Sequence, residues 1–321
     1  MSVTLKDLAA ASGLSIRSVR RALSGEPGVS NDAREKICRL ARDLGYVPNV
    51  AARDLRVGRT PFVGLLTSPH DSDVARRRTM DLTDRIGAMG LHTLAAIRPD
   101  TPEAMRALAR RWSGLVHWVV FASAPPPDVE ELLGEFNLSF VIIDGKNASG
   151  NVTPLEIDRA PGIAEAVAHL LGSGRKNILR CGSLDGRKDG FETAFRHAGK
   201  NVQHRTIVPA GETFDDGYRM GEIIVQSGAD AVFFDVDRTA LGFLRYAHKN
   251  HIRIPETIAA VGFDDDQAGR FVTPRLATVA QPIAEINQAI LELISGKESI
   301  QHSFSTHFVC RESAGSTGEN L

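Results

Sequence analysis

From Phe62 onward the chain alternates short continuous apolar runs with amphipathic stretches of helical period, and it does so twice. VGLL, LHTLAAI, GLVHWVVFAS and SFVIID are the runs of the first round, separated by DLTDRIGAMG, EAMRALARRW and DVEELLGEF. After a crossover near residues 155–158 the rhythm restarts with GIAEAVAHLLGSG, and NILRCGS, VQHRTIVPAG, AVFFDV and IAAVGFDD follow between further helices. Strands that are apolar at consecutive positions are buried on both faces, as happens when helices cover both sides of a parallel sheet. Two such rounds predict a two-lobed α/β body. Ligands of such bodies sit at the carboxyl ends of the strands, in the crevice between the lobes.

The first sixty residues differ in kind. They hold 11 Lys/Arg against 6 Asp/Glu, a net +5, leaving 27 against 33, a net −6, for the rest. A basic module on an acidic body points to a polyanionic partner at that end. Thr4 can cap a helix from Leu5, with Asp7 in its first turn, and Ser15 and Ser30 can cap two more. Inward positions are then Leu5, Leu8 and Ala9, next Val19, Ala22 and Leu23, and last Ala33, Ile37, Leu40, Ala41 and Leu44, with Gly45 as the stop. The spacing of Ala9, Gly13 and Val19 supplies a small residue at a helix crossing, a Gly where the turn needs positive φ, and a buried branched residue. That is a helix-turn-helix pattern, whose second helix enters the major groove. Its outward face shows Ile16, Arg17, Arg20 and Arg21.

Other classes find little support. No run of 18 uncharged apolar residues predicts a membrane span. MSVTLKDLAAASG lacks the charged-then-apolar layout of a signal peptide, so a cytoplasmic location is expected. Cys38, Cys181 and Cys310 are odd in number and far apart, which fits free thiols rather than disulfides or a metal site. His248 and His251 form H-x-x-H without a nearby acidic or sulfur partner and read as helix-surface residues. No G-x-G-x-x-G follows a strand, and there is neither a phosphate-binding loop nor a G-x-S-x-G elbow. No enzyme activity, cofactor or metal is expected.

The stretch from VTLKDLAAASGLSIRSVRRALSG through YVPNVAARDLRVGR to PFVGLL resembles the N-terminus of lactose-repressor (LacI/GalR) family transcription regulators. By that resemblance residues 1–47 are a helix-turn-helix DNA-binding domain, residues 48–60 a hinge helix, and residues 61–321 an effector-binding and dimerisation body. The hinge is then the switch: unstructured off DNA, helical when two copies meet at the operator, with Leu55 in the position that wedges into the minor groove. Its composition agrees. Ala51, Ala52 and Leu55 make one small apolar stripe, Arg53, Arg56 and Arg59 are free for phosphates, and so short a helix is marginal alone. The expected DNA-facing set is Thr4, Ser15, Ile16, Arg17, Ser18, Arg20, Arg21, Asn49, Ala52, Arg53, Leu55 and Arg56. Arg20 and Asp54 stand where the family often has Ser or Thr.

The resemblance runs on to about Ser313, through VIIDGKN, GRKDGF and GFDDDQAGRFVTPRLATVAQP, and the body is similar to periplasmic sugar-binding proteins. It implies three crossings between lobes, placing residues 61–156 and 282–302 in the first lobe and 157–281 and 303–321 in the second. It also implies effector contacts at Asp144, Arg187, Phe214 and Asp264. Val236 replaces the usual Asn before Asp237, and Ser72, Asp73, Val74 and Ala75 replace an aromatic N-P-F-F stretch, followed by Arg76, Arg77 and Arg78. The pocket thus loses an aromatic wall and gains charge, which shifts the expected ligand from a plain hexose toward a sugar acid or sugar phosphate.

The expected protein is a homodimeric repressor that reads a near-palindromic double-stranded operator and answers to a sugar-like effector. The alternatives are an extracytoplasmic sugar-binding protein, or a family member that has lost its effector response. If Leu55 wedges the operator open, Leu55→Ala keeps half-site recognition but loses the kink; an unchanged bend in a gel-shift bending assay would overturn that role.

Overall fold

The computed structural model describes residues 3–24, 27–46, 60–69, 72–145, 150–196 and 203–315. The chain divides into two compact units, Met1–Thr60 and Pro61–Leu321. The expected hinge, with Asn49, Ala52, Arg53, Leu55 and Arg56, lies outside the described residues.

In the first unit α1 (Leu5–Ser12), α2 (Ile16–Ser24) and α3 (Asn31–Asp43) enclose a small core of Leu8, Val19, Ala22, Ile37 and Ala41. Each start is fixed by a hydroxyl. Thr4 closes a capping box with Asp7, the Ser15 Oγ accepts from the Ser18 amide at 3.1 Å, and the Ser30 side chain accepts from the Ala33 amide. Gly13, at φ 72°, ends α1 in the left-handed conformation that sets the turn. Leu44 does not face inward as expected. It follows the last turn of α3 and is 41% exposed.

The second unit holds β1 (Phe62–Thr67), α4 (Asp73–Ala88), β2 (His92–Ile97), α5 (Pro102–Trp112), β3 (Val116–Phe121), α6 (Pro127–Glu131), β4 (Ser139–Ile143) and β5 (Val152–Asp158). Then come α7 (Ala160–Gly172), β6 (Asn177–Cys181), α8 (Asp185–Arg196), β7 (Gln203–Ile207), α9 (Phe214–Gln226), β8 (Ala231–Phe234), α10 (Asp237–Lys249), β9 (Ala259–Phe263) and β10 (Ala277–Ala280). The chain closes with α11 (Ile283–Ile294), β11 (Ser303–Ser305) and β12 (His307–Val309). Two six-stranded sheets result, in the orders β11-β5-β4-β3-β1-β2 and β12-β10-β9-β8-β6-β7. All pairings are parallel except β10 with β12. The continuous burial of β1, β4, β8 and β9 is what their unbroken apolar runs require. Among the described residues no helix is long and apolar enough to cross a membrane.

The chain passes between the sheets three times, and the first and last passages fall two to three residues later than expected. Residues 157–158 and 303–305 belong to the first sheet, where β11 pairs with β5 as Ser303 to Glu156, Phe304 to Ile157 and Ser305 to Asp158. Ile157 and Phe304 are buried in the first lobe's core and hold both segments there. The last crossing falls at Thr306, whose amide donates to the Asp158 carbonyl at 2.9 Å and whose hydroxyl reaches the Asp158 and Arg159 carbonyls, each at 3.2 Å.

Helices α9 and α10 lie so close that glycines are required at the contact. A Cβ on Gly217 would come within 2.0 Å of the Thr239 carbonyl oxygen, and one on Gly242 within 2.0 Å of the Phe214 carbonyl oxygen. Gly217→Ala should therefore force the helices apart and destabilise the body by about 1–3 kcal/mol, read as a lowered thermal midpoint.

Candidate functional site

Two sets of candidate side chains emerge, one in each unit. On α2 burial of Val19 leaves Ile16 (45% exposed), Arg17 and Arg20 on the opposite, open face. Ser15 and Ser18, at the amino end of this face, share a hydroxyl–hydroxyl hydrogen bond of 2.9 Å. Thr4 is exposed, with its hydroxyl donating to Asp7 at 2.7 Å. Arg21 is less outward than expected: it is half-buried, and its Nη1 would lie 3.1 Å from a Cβ on Gly28. The guanidinium rests over the turn between α2 and α3.

In the second unit a cavity of about 300 Å³ opens between the lobes at the carboxyl ends of the strands. Arg187, Asp264 and Asp144 all line it. Arg187 Nη2 donates to Asp264 Oδ1 at 3.2 Å, and its guanidinium lies 4.3 Å from the centroid of the Phe263 ring. Gln281 Nε2 donates to the same Asp264 oxygen at 2.8 Å, and Gln281 Oε1 accepts from Arg78 at 3.3 Å. Asp144 is held by both terminal nitrogens of Arg159, at 2.9 and 2.6 Å. Asp144 and Asp264 directly follow β4 and β9 at positive φ, 64° and 104°. Strained non-glycine backbone at strand ends is characteristic of ligand-facing positions.

Beneath the cavity, buried carboxylates pin the loops that carry these groups. Arg180 and Asp235 form an ion pair that is almost wholly buried, with contacts of 2.9 and 2.5 Å. Both reach the backbone of Leu184 just ahead of α8: Arg180 donates to its carbonyl at 2.8 Å and Asp235 accepts from its amide at 2.9 Å. Burial pushes the Asp235 carboxyl up, against the opposing pull of Arg180. Asp237 is buried too, and burial raises its carboxyl well above the ordinary range. It accepts from the Asp266 amide at 2.6 Å and the Thr278 hydroxyl at 2.8 Å, which fixes the turn bearing Asp264.

The three arginines of α4 have separate fates. Arg76 pairs with Asp73 on the surface, Arg77 donates across the cleft to the Asp264 carbonyl at 2.7 Å, and Arg78 is buried and bonds the Ala122 carbonyl at 2.7 Å. Asp73 also faces Arg238 of the second lobe at 3.4 Å. Phe214 is not brought to the cavity. The Thr213 and Asp216 capping box makes it the first residue of α9, where it is 48% exposed and absent from the described cavity wall. Arg98, Arg159, Glu212 and Gln281 do line the cavity and were not expected there. Their only sequence signal was a position near the end of a strand or the start of a helix. Among the described residues no group of three or more His, Cys, Asp or Glu could hold a metal ion.

The model for bacterial regulatory proteins of the lacI family matches residues 4–49, and that for the periplasmic binding protein-like domain matches residues 167–313. The chain thus carries a lacI-type helix-turn-helix domain followed by a periplasmic binding protein-like domain. It is 26% identical to catabolite control protein A of Priestia megaterium over 94% of this chain and 96% of that protein. It is also 26% identical to the transcriptional repressor PurR of Erwinia tasmaniensis, over 91% and 89%. Among solved structures, the lac repressor dimer bound to operator and the anti-inducer ONPF shares the fold at a TM-score of 0.83 and 20% identity, covering 98% of this chain and 99% of that one. The CelR–cellobiose complex follows at 0.66 and 23%, covering 97% and 99%. Within this fold, the pair of Arg180 with Asp235 has a checkable consequence. Asp235→Ala, which strands a buried guanidinium, should cost about 3–5 kcal/mol, while Arg180→Met with Asp235→Leu should recover much of that loss in thermal unfolding.

Proposed function

We propose that this protein is a sequence-specific DNA-binding transcription regulator, acting as a repressor, controlled by a small polyhydroxylated effector held between the lobes of its body. The observation that carries the reading is the open face of α2, with Ile16, Arg17 and Arg20 exposed around a buried Val19 in a lacI-type helix-turn-helix domain. A short apolar side chain and guanidinium groups at the start of such a helix suit thymine methyls and guanine edges in the major groove. Thr4, Ser15 and Ser18 add hydroxyls for phosphates, and Arg21 joins them from the last turn of α2. Asn49, Ala52, Arg53, Leu55 and Arg56 complete the interface in this proposal.

The operator-bound dimer among the structural neighbours supports a homodimer reading two half-sites of a near-palindrome. Access to the operator requires the cytoplasm, and that location belongs to the same proposal. The relatives named above are transcriptional regulators, and no catalytic step is assigned. The cellobiose complex supports the cleft as an effector site, with Arg187 donating in a fork, Asp264 accepting from hydroxyls and Asp144 at the opposite wall. A second reading, a regulator that no longer answers to a ligand, is favoured by one observation: Arg77 and Asp73 of α4 bridge the lobes directly, to the Asp264 carbonyl and to Arg238.

Arg17→Ala should weaken binding to the preferred operator by about 1–3 kcal/mol and relax base preference at one position of each half-site, measured by titration of labelled DNA. Equal losses on operator and random DNA would reduce Arg17 to a phosphate contact. Asp264→Ala should bind operator as the wild type does, yet no longer release or tighten it when ligand is added. A variant that still responds would remove Asp264 from the effector site.

A further inference from the structure

The cavity between the lobes is unusual in its charge. Four arginines line it, Arg78, Arg98, Arg159 and Arg187, against the three carboxylates of Asp144, Glu212 and Asp264. Arg159 already answers Asp144 through two hydrogen bonds. Arg187 spends only Nη2 on Asp264, at 3.2 Å, while its Nε is buried and has no hydrogen-bond partner. A dry guanidinium with an unmet donor favours an anionic acceptor.

The backbone contributes in the same direction. Ser72, Arg159 and Val236, which line the cavity, are the cap residues at the amino ends of α4, α7 and α10. Neither Arg159 nor Val236 supplies a side-chain acceptor to its helix. The positive ends of these helix dipoles therefore converge on one small space. An aromatic platform, on which a neutral sugar ring would stack, is missing from the described wall.

Resting on the reading of this cleft as the effector site, we infer that its ligand is a small polyhydroxylated carboxylate, an aldonate or uronate. Its carboxylate pairs with the guanidinium of Arg187 where that side chain lines the cavity, and its hydroxyls face Asp264, Gln281 and Asp144. A monoanion fits better than a phosphate ester because Glu212 and Asp264 both lie near Arg187, and a dianion would be repelled by them more strongly. Glu212 adds a pH signature. Burial raises its carboxyl, as do Asp235 and Asp264, while Arg187 and Arg238 oppose the shift. Below its raised pKa Glu212 is neutral and tolerates the ligand's charge; as pH rises through that value its own charge weakens acid binding.

The test is calorimetric titration of the full chain with gluconate and galacturonate, their neutral parents glucose and galactose, and a hexose phosphate ester. At least one acid should bind about tenfold or more tightly than its parent, and Arg187→Gln should erase that preference. Glu212→Gln should remove the weakening of acid binding as pH rises through the raised Glu212 pKa, an effect absent from any neutral-sugar binding. A neutral hexose binding as tightly as its acid would overturn the ligand class while leaving the cleft an effector site. A phosphate ester binding more tightly than both acids would overturn the carboxylate assignment. Operator binding with no response to any of these probes would overturn the inference and the effector reading together.

Discussion

The parallel strands of each sheet run in one direction, so the loops that follow them leave at one edge. That single geometric demand assembles the cleft between the lobes. Asp144 after β4, Leu184 after β6, Val236 after β8 and Asp264 after β9 come from distant parts of the sequence, yet all open on one cavity. The amino ends of the following helices arrive with them. A positive, hydrogen-bond-donating site is thus inherent in the architecture, and the side chains decide what it holds.

The side chains beneath the cleft perform a different task from those lining it. Arg180 with Asp235 fixes the loop before α8, and Asp237 fixes the turn after β9. These carboxylates are too enclosed to meet a ligand, but they determine where Arg187 and Asp264 can point. Across the gap, α4 supplies the complementary wall. Its first turns replace aromatic bulk with short side chains and send Arg77 and Asp73 toward the second lobe.

Much of this was legible in the sequence where the signal is local. The caps at Thr4, Ser15 and Ser30, the turn at Gly13, and the doubled alternation of strands and helices follow from near-neighbour chemistry. Arg187 and Asp264 were legible through a motif and a strand end. The rest depends on tertiary placement. Nothing near Arg98 or Gln281 in the chain marks them as cavity residues; the fold delivers them. Arg180 interrupts an apolar strand, and its reason lies 55 residues away at Asp235. Phe214 lies outside the described cavity wall, as the first residue of α9 after the Thr213 and Asp216 capping box. The late crossing at Thr306 was hidden because β11 is three residues long, too short to show a period.

Two of the three passages between lobes are bonded to one another. Thr306 fastens the last to the first through the carbonyls of Asp158 and Arg159, so these strands share a single pivot instead of acting as separate tethers. A pair of lobes joined this way resembles a door on one pin. Bonds across this pair of strands resist sliding of one past the other more than they resist rotation about it. A small displacement at the cavity is then converted into a larger arc at the far end of each lobe.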